Sequence, residues 1–264
     1  MTDVLLETVS DGVATLTMNR PDRRNALSGE MMAGFLEALP RLAAEPDVGV
    51  VVITGTGKAF CAGGDVKAMA EGTEFKENTL EEKARALRDD MEVSGWLHKM
   101  TKPTIAMVTG ATAGAGLSIA LACDLRVAGE SAKFTTAFGK VGYSGDFGGS
   151  YFLTRLVGTA KARELYFTSA LIGAAEALNL GIVNRVVPDQ QLQTEVTDLS
   201  QQMAKGPQIA LSYMKKNLNA AETGTLSDVF DLEAWHHTRC GMTEDHKEAT
   251  RAFVEKRAPV FHNR

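Results

Sequence analysis

The chain has 264 residues, of which 44% are apolar and 23% are charged, a composition typical of a folded globular protein with a substantial core. Its formal net charge of -5 at pH 7 makes nucleic acid an unfavourable partner, although a local basic patch could still bind a small anion. No apolar run reaches the roughly 18 to 20 residues of a membrane span, and the N-terminus carries acidic residues where a signal peptide carries basic ones. We therefore expect a cytoplasmic protein that binds neither nucleic acid nor membranes.

The N-terminal segment predicts two strands, a helix and a third strand. Apolar or alternating runs at 4–7 and 13–18 are separated by Ser-Asp-Gly, which favours a hairpin. Ser28 is expected to begin a helix, because serine is a preferred N-cap and apolar residues follow at helical spacing. The β-branched run at 48–54 is typical of a strand buried on both faces.

The middle of the chain predicts further strand and helix pairs. Residues 71–99 are charged at first and amphipathic later, so we expect a mobile loop followed by a helix. A strand at 104–108 is followed by a small-residue loop at 110–116 and by a helix at 117–123 that is too apolar to be exposed. A further strand is expected at 125–128.

Helices dominate the rest of the chain. The pattern is helical from residue 158 and again at 174–180, then a short strand is expected near 183–187, and helices follow from about residue 190 with a break at Gly206-Pro207. Strands that alternate with helices indicate an α/β protein with a largely parallel sheet, in which ligands bind at the strand ends.

The cysteines indicate neither a disulfide framework nor a metal site. Cys61, Cys123 and Cys240 are odd in number, far apart and without metal-ligand spacing, so we expect reduced thiols and no bound metal. Cys123 is expected to be a buried small hydrophobe, because it lies in an apolar run. The histidines of the predicted helices are expected to be surface or packing residues: His98, His236, His237 and His246.

Two glycine-rich segments follow predicted strands, at 57–65 and 110–116. Glycine and alanine leave backbone N–H groups accessible, and the second segment also begins a helix, whose first amides have no internal acceptor. Two such segments could converge on one oxygen atom. They could instead be simple strand-to-helix turns, whereas a dinucleotide site is disfavoured because the glycines of the second segment are not spaced as G-x-G-x-x-G.

These two segments carry a family resemblance. KAFCAGGDVKAM and IAMVTGATAGAGLSIALACDLRVA resemble the two active-site loops of the crotonase (enoyl-CoA hydratase/isomerase) superfamily, and NRPDRRNALS, GSYFLTRLVGTAKARELYFT, ALNLGIVNRVVP and AFVEKRAPVF match in order. The resemblance implies a crotonase-like spiral of ββα repeats over residues 1–195 and a C-terminal helical region over residues 196–264 that joins subunits into a homotrimer or hexamer. It also implies an acyl-CoA substrate and no separate cofactor, since coenzyme A is part of the substrate.

The resemblance assigns site residues as well. It implies an oxyanion hole made by the backbone N–H groups of Gly64 and Ala115, which would bind the thioester oxygen. One such preorganised donor is typically worth about 3 to 4 kcal/mol. Residues implied to contact coenzyme A or the acyl group are Arg24, Ala26, Ala62, Asp65, Val66, Phe138, Lys256 and Phe261.

The candidate residue for proton transfer differs from that of the superfamily's hydratases. Hydratases of the superfamily use two glutamates, whose positions fall on Ser118 and Phe138, and neither side chain can act as the required acid or base. Asp146 falls where isomerase members carry a catalytic aspartate, although an aspartate before Gly-Gly-Ser could instead cap the following helix. A single half-buried carboxylate suffices to shift a double bond.

We therefore expect an enoyl-CoA hydratase/isomerase family enzyme, and most specifically a double-bond isomerase with Asp146 as acid/base. The alternatives are hydration by a non-standard site, hydrolysis or dehalogenation with Asp146 as nucleophile, and a non-catalytic acyl-CoA-binding protein.

Overall fold

The computed structural model describes residues 3–71 and 79–264. The loop predicted at the start of 71–99 falls mostly on residues 72–78, which lie outside the described residues. Within the described part of the chain, no helix is both long enough and apolar enough to cross a lipid bilayer.

Strands of the described residues form two sheets. The larger sheet has the order β1-β2-β3-β5-β7-β10 and the smaller has the order β4-β6-β8-β9. Only the β1–β2 and β8–β9 pairs of the two sheets are antiparallel within the described residues. The strand bounds are β1 (Leu5–Ser10), β2 (Val13–Met18), β3 (Val50–Gly55), β4 (Ala59–Cys61), β5 (Thr104–Val108), β6 (Ala111–Ala113), β7 (Leu125–Gly129), β8 (Lys133–Thr135), β9 (Ile172–Gly173) and β10 (Arg185–Val187).

Helices cover both faces of the larger sheet and make up the C-terminal part. Their bounds are α1 (Gly29–Ala44), α2 (Val66–Ala70), α3 (Leu80–Asp90), α4 (Glu92–Lys99), α5 (Ala115–Ala122), α6 (Gly149–Thr168), α7 (Ala174–Asn179), α8 (Leu192–Ala204), α9 (Gln208–Ala221), α10 (Leu226–Gly241) and α11 (Glu244–Glu255).

The chain alternates between the two sheets. Strand β3 is followed by β4, β5 by β6, and β7 by β8, and each such pair leads into a helical segment. This alternation is the predicted spiral of ββα repeats. Strands β3, β5 and β7 are parallel neighbours, so their carboxyl ends lie at the same edge of the larger sheet. The chain therefore passes from the larger to the smaller sheet at this one edge each time.

Several predicted elements are confirmed with shifted ends. The hairpin is present with Ser10 opposite Val13, and its first strand continues to Ser10 because the turn is made by Asp11 and Gly12, both with positive φ. The Ser28 Oγ accepts a hydrogen bond from the Met31 amide at 3.3 Å and so caps α1 as predicted. Helix α6 begins at Gly149, earlier than predicted, with a kink at residue 158.

The predicted loops at 57–65 and 110–116 are partly strands. Ala59 pairs with Ala111 and Cys61 pairs with Thr112, so β4 and β6 are neighbouring strands of the smaller sheet, with β4 at its edge. Three-residue strands have no periodicity of their own, and only their pairing with each other makes them strands. The expectation of irregular loops is therefore wrong at these residues.

The core lies on both faces of the larger sheet. One face packs against the helices α1, α4, α5 and α6, and the other against α8 through Leu192 and Val196. The predicted division between residues 195 and 196 falls inside α8, which packs on the sheet as far as residue 204. The helices α9 to α11 follow it, and their role in subunit contacts stays a prediction.

Candidate active site

The first glycine-rich segment is held by the segment that precedes α1. The Leu27 amide donates to the Gly63 carbonyl oxygen at 2.8 Å, and the Ala62 amide donates to the Arg24 carbonyl oxygen at 3.0 Å. The fully buried Asn25 side chain donates from Nδ2 to the Ala59 carbonyl oxygen at 2.8 Å. The NRPDRRNAL motif therefore fixes the conformation of this segment.

An ion pair fixes the end of the same segment. Arg20 donates from one guanidinium nitrogen to Asp65 Oδ2 at 2.9 Å and from another to the Ala26 carbonyl oxygen at 2.6 Å. Asp65 Oδ1 also caps α2 by accepting from the Ala68 amide at 3.2 Å. Burial alone would raise the pKa of Asp65, but the hydrogen bonds from Ala68 and Arg20 lower it below its ordinary value. The Asp65 carboxylate is thus engaged inside the protein, and a contact of its backbone with coenzyme A stays a prediction.

The second segment turns sharply from β6 into α5. Gly114 has φ +52, which favours glycine, and its amide donates to the Thr135 carbonyl oxygen at 3.1 Å. Ala115 is the first residue of α5, where amides have no acceptor within the helix and where the helix dipole favours negative charge.

The two segments are in direct contact. A Cβ on Gly63 would lie 2.8 Å from the Ala113 carbonyl oxygen and 3.3 Å from the Ala115 nitrogen, and a Cβ on Gly116 would lie 2.5 Å from the Cys61 carbonyl oxygen. Among the described residues, neither the Gly64 amide nor the Ala115 amide donates a hydrogen bond to a protein acceptor. The arrangement can therefore offer two backbone donors to an oxygen atom.

Asp146 has an unusual environment for a loop carboxylate. Its Oδ1 is buried and has no hydrogen-bond partner among the described residues, and burial raises the pKa of Asp146 to about 6. A Cβ on Gly149, whose amide donates to the Asp146 carbonyl oxygen, would lie 2.3 Å from Ser118 Oγ, so the Asp146 loop packs against α5, the helix that begins at Ala115.

The capping role that the sequence allowed for Asp146 is not observed. Helix α6 has Gly148 at its N-cap, with no side-chain hydrogen bond, and Asp146 contributes only its carbonyl oxygen, which accepts from the Gly149 amide at 3.0 Å. A charged group held in a costly environment without a structural partner is typical of functional sites.

Ser118 and Phe138 both lie close to Gly114 of the second segment. Ser118 is buried, and its Oγ donates a long hydrogen bond of 3.3 Å to the Gly114 carbonyl oxygen. The Phe138 ring is buried and stacks on the Tyr166 ring with centroids 6.0 Å apart. A Cβ on Gly114 would lie 3.7 Å from the Phe138 ring, so this ring borders the second segment.

Two residues of the site were missed by the sequence analysis or given no role. Tyr166 lies on α6, 20 residues beyond Asp146 in the chain, and no local pattern distinguishes it from other helical tyrosines. Cys61 is fully buried, its Sγ accepts from the Gly63 amide at 3.4 Å, and burial raises the pKa of its thiol to about 12. Cys61 is therefore a neutral packing group rather than a nucleophile.

Besides Asp65 and Phe138, the residues predicted to contact coenzyme A or the acyl group fall into two groups. The first group lies in or next to the first segment. In this group Arg24 and Val66 are exposed, whereas Ala26 and Ala62 are more shielded. Lys256 and Phe261 belong to the C-terminal region instead.

Lys256 is exposed just after α11, and Phe261 lines a cavity whose other walls come from residues 207–249. Within one subunit, neither residue is brought to the glycine-rich segments. Their contact with coenzyme A, through the same or a neighbouring subunit, stays a prediction.

The described residues contain no group of three or more His, Cys, Asp or Glu side chains arranged to hold a metal ion. Cys123 is buried as predicted.

Comparison with known proteins gives the family. The family described as Enoyl-CoA hydratase/isomerase matches residues 8–264. A 1,2-epoxyphenylacetyl-CoA isomerase from Escherichia coli (strain K12) is 34% identical over 268 residues, covering 99% of this chain and 99% of that protein. The enoyl-CoA hydratase EchA19 from Mycobacterium tuberculosis (strain H37Rv) is 35% identical over 252 residues, covering 94% of this chain and 92% of that protein.

Solved structures agree with these relatives. The crystal structure of an enoyl-CoA hydratase from Polaromonas sp. JS666 superposes with a TM-score of 0.92 at 34% identity, covering 98% of this chain and 99% of that chain. The chain therefore belongs to the enoyl-CoA hydratase/isomerase family of enzymes and has the crotonase fold.

Proposed function

We propose that this protein is an acyl-CoA double-bond isomerase in which Asp146 transfers the proton and the Gly64 and Ala115 amides bind the thioester oxygen. The observation that carries the proposal is Asp146 itself. Its carboxyl group is shielded, burial raises its pKa to about 6, and one of its oxygens has no hydrogen-bond partner among the described residues. A base with a pKa close to neutral pH is efficient at removing a carbon-bound proton.

The reaction needs only these groups. The Asp146 carboxylate removes a proton from the α-carbon of a 3-enoyl thioester, and the electron pair moves into a dienolate whose negative charge lies on the thioester oxygen. The two amides stabilise that charge as it develops, each contributing about 3 to 4 kcal/mol in a dry site. The protonated Asp146 then returns the proton to the γ-carbon, which gives the 2-enoyl thioester.

The side chains at the two glutamate positions support isomerisation over hydration. Ser118 already donates its hydrogen to the Gly114 carbonyl oxygen, and Phe138 has no polar atom. Neither can activate a water molecule as a carboxylate does. The similarity to 1,2-epoxyphenylacetyl-CoA isomerase agrees with an isomerase, although that protein's substrate is not thereby assigned to this chain.

The test compares turnover with binding. The wild type and Asp146→Asn are assayed with 3-enoyl-CoA and 2-enoyl-CoA thioesters of short, long and aromatic acyl groups. We expect Asp146→Asn to lower kcat about 10²- to 10⁴-fold and to leave the Kd for the thioester within about threefold, because the substitution removes the base and keeps the shape. Asp198→Asn, an exposed aspartate on α8, is the matched control and should leave kcat unchanged. Unchanged turnover in Asp146→Asn would reject the proposal.

Hydration is the second candidate, favoured by the name of the relative EchA19 and by that of the Polaromonas structure. The same assays run in ¹⁸O-labelled water separate the two reactions. Hydration of a 2-enoyl thioester produces a labelled 3-hydroxyacyl-CoA, whereas isomerisation incorporates no oxygen. Attack by Asp146 as a nucleophile would leave an acyl-enzyme that is detectable by mass.

We also propose that the protein assembles as a homotrimer or hexamer in the cytoplasm, through the C-terminal region. The support is a set of large apolar side chains of α9 and α10 that are exposed in one subunit: Met214, Leu218, Leu226, Phe230 and Trp235.

A further inference from the structure

Helix α5 is enclosed by protein along its whole length. All of its eight residues, from Ala115 to Ala122, are buried. Its first amides have no acceptor within the helix, and its last carbonyl groups need donors from elsewhere in the protein. Because little water surrounds the helix, a charge at one end acts on the other end with weak screening.

Arg126 supplies the donors at the C-terminal end of α5. Its Nη1 donates to the carbonyl oxygens of Leu121, at 3.4 Å, and Cys123. Its Nε donates to the Ile182 carbonyl oxygen at 2.6 Å. Arg126 is only 5% exposed. The guanidinium group is therefore a buried cap on the end of α5 that lies opposite Ala115.

The charge of Arg126 has no counter-ion of its own. Its three acceptors are neutral carbonyl oxygens, and it forms no ion pair among the described residues. Asp124 instead accepts from the Lys215 ammonium group at 2.7 Å, so these two charges compensate each other. Burial lowers the pKa of Arg126, but a guanidinium group stays protonated in proteins. A buried cation without an anion is costly, and such costs are typical of functional sites.

The position of this cation relates it to the other end of the helix. A positive charge at a helix C-terminus is favourable with the helix dipole, and it adds to the positive potential at the N-terminus. The eight residues of α5 separate the guanidinium group from the Ala115 amide by about 12 Å. At this distance, and at an effective dielectric constant of about 20, one unit charge changes a rate about tenfold.

We propose that Arg126 is a positioning residue of the candidate active site, whose buried charge strengthens the binding of a developing enolate oxygen by the Ala115 amide at the opposite end of α5. The inference rests on the proposed oxyanion role of Ala115. Among the described residues, burial alone raises the pKa of Asp146. We therefore expect the charge of Arg126 to favour the enolate more than the ionised base.

The first experiment measures the polarisation of the bound thioester directly. A 2-enoyl-CoA labelled with ¹³C at the thioester carbonyl is bound in an Asp146→Asn background, and its carbonyl stretch is recorded by isotope-difference infrared spectroscopy. A lower frequency than in the free thioester reports polarisation by the oxyanion donors. Arg126→Met should move the band back toward that of the free thioester, and Arg126→Lys, which keeps the charge, should restore part of the lowering.

The second experiment measures turnover with Asp146 intact. Arg126→Met should lower kcat about tenfold and leave KM within about threefold, because the charge acts on the negative oxygen of the transition state and not on the neutral substrate. Arg126→Lys should recover most of kcat. Arg126→Gln is a second neutral variant that can still donate to a carbonyl oxygen, and it should resemble Arg126→Met.

Two controls separate charge from structure. Asn184→Ala removes the 2.8 Å hydrogen bond from the Arg126 amide to Asn184 Oδ1 and keeps the guanidinium group. It should lower the stability of the protein and leave the carbonyl band in place. Arg163→Met removes an exposed charge on α6 and should leave both kcat and the band unchanged.

The outcomes distinguish this inference from the proposed function. If the band of the bound thioester is not lowered at all in the Asp146→Asn background, the proposed oxyanion hole is rejected, and this inference with it. If the band is lowered but stays in place in Arg126→Met and Arg126→Gln, only the inference about Arg126 is overturned. An equal displacement of the band in Asn184→Ala would overturn it too, since Arg126 would then act through the position of α5 alone.

Discussion

At the scale of single residues, two aspartates of the candidate active site, Asp146 and Asp65, differ in how their surroundings affect the ionised carboxylate. The burial that raises the pKa of Asp146 to about 6 also makes its ionised form unfavourable for the folded state. Among the described residues, burial alone raises the pKa of Asp146, whereas Asp65 is paired with Arg20 and Arg23. The Asp65 carboxylate is therefore a structural anion, whereas the Asp146 carboxylate has the environment of the proton acceptor that we propose.

Asp146 should make stability depend on pH. Because the folded-state pKa is raised from 3.8 to about 6, the protonated form is favoured by folding, so this contribution is fully present below pH 3.8 and is lost as the pH rises through 6. Asp146→Asn should therefore be more stable than the wild type at pH 8 by about 3 kcal/mol, and the difference should almost vanish below pH 3.8. Urea unfolding at a fixed protein concentration measures the difference.

The control for this pH dependence is the exposed aspartate of α8. Asp198→Asn should show no difference from the wild type that changes with pH. If the free energy of unfolding of Asp146→Asn equals that of the wild type at every pH, then burial does not destabilise the ionised form of Asp146.

At the scale of elements, α9 is attached to the core by a buried ammonium group. Lys215 is only 6% exposed, and its Nζ donates to Asp124 Oδ2 at 2.7 Å, to the Leu97 carbonyl oxygen at 2.9 Å and to the Lys102 carbonyl oxygen at 3.1 Å. Asp124 follows α5, the helix whose first residue is Ala115. The contact thus joins the C-terminal region to the helix that carries half of the proposed oxyanion hole.

Removing this ammonium group should be costly. Lys215→Met should lower the free energy of unfolding by about 3 kcal/mol, because Asp124 loses its cation and two carbonyl oxygens lose a donor. Chemical denaturation of each variant is the measurement. Lys216→Met, the exposed neighbour, should change stability by less than about 0.5 kcal/mol, and an equal effect of both substitutions would contradict the assignment.

At the scale of the whole molecule, the apolar face of α9 and α10 remains open in one subunit. The sequence left undecided whether the apolar residues of 203–218 pack inside a subunit or between subunits. Met203 packs against the larger sheet, whereas Met214 is 55% and Leu218 is 69% exposed. A surface of this kind is typical of a protein that associates.

The proposed assembly is tested by sedimentation equilibrium. We expect a mass of three or six chains for the wild type, and Leu218→Glu combined with Trp235→Glu should shift it toward one chain by placing charges in an apolar contact. Val9→Glu, an exposed apolar position on the edge strand β1, serves as the control and should leave the mass unchanged. A monomeric wild type would reject the assembly.

The sequence alone determined much of this protein. The alternation of apolar runs with glycine-rich segments predicted the order of strands and helices, since burial on one or both faces leaves a periodic pattern in the chain. The same segments, read in order, predicted the family, and Ser118, Phe138 and Asp146 were placed by their distance from those segments. These features are local, so they can be read without the fold.

The tertiary structure decided what no local pattern records. Ala59 and Ala111 are in strands only because they pair with each other across 52 positions of the chain. Tyr166 belongs to the site because α6 folds back over the Asp146 loop, and Asp146 has a raised pKa because distant residues exclude water from it. Pairing, burial and proximity depend on contacts between segments far apart in the chain, and those contacts exist only in the folded molecule.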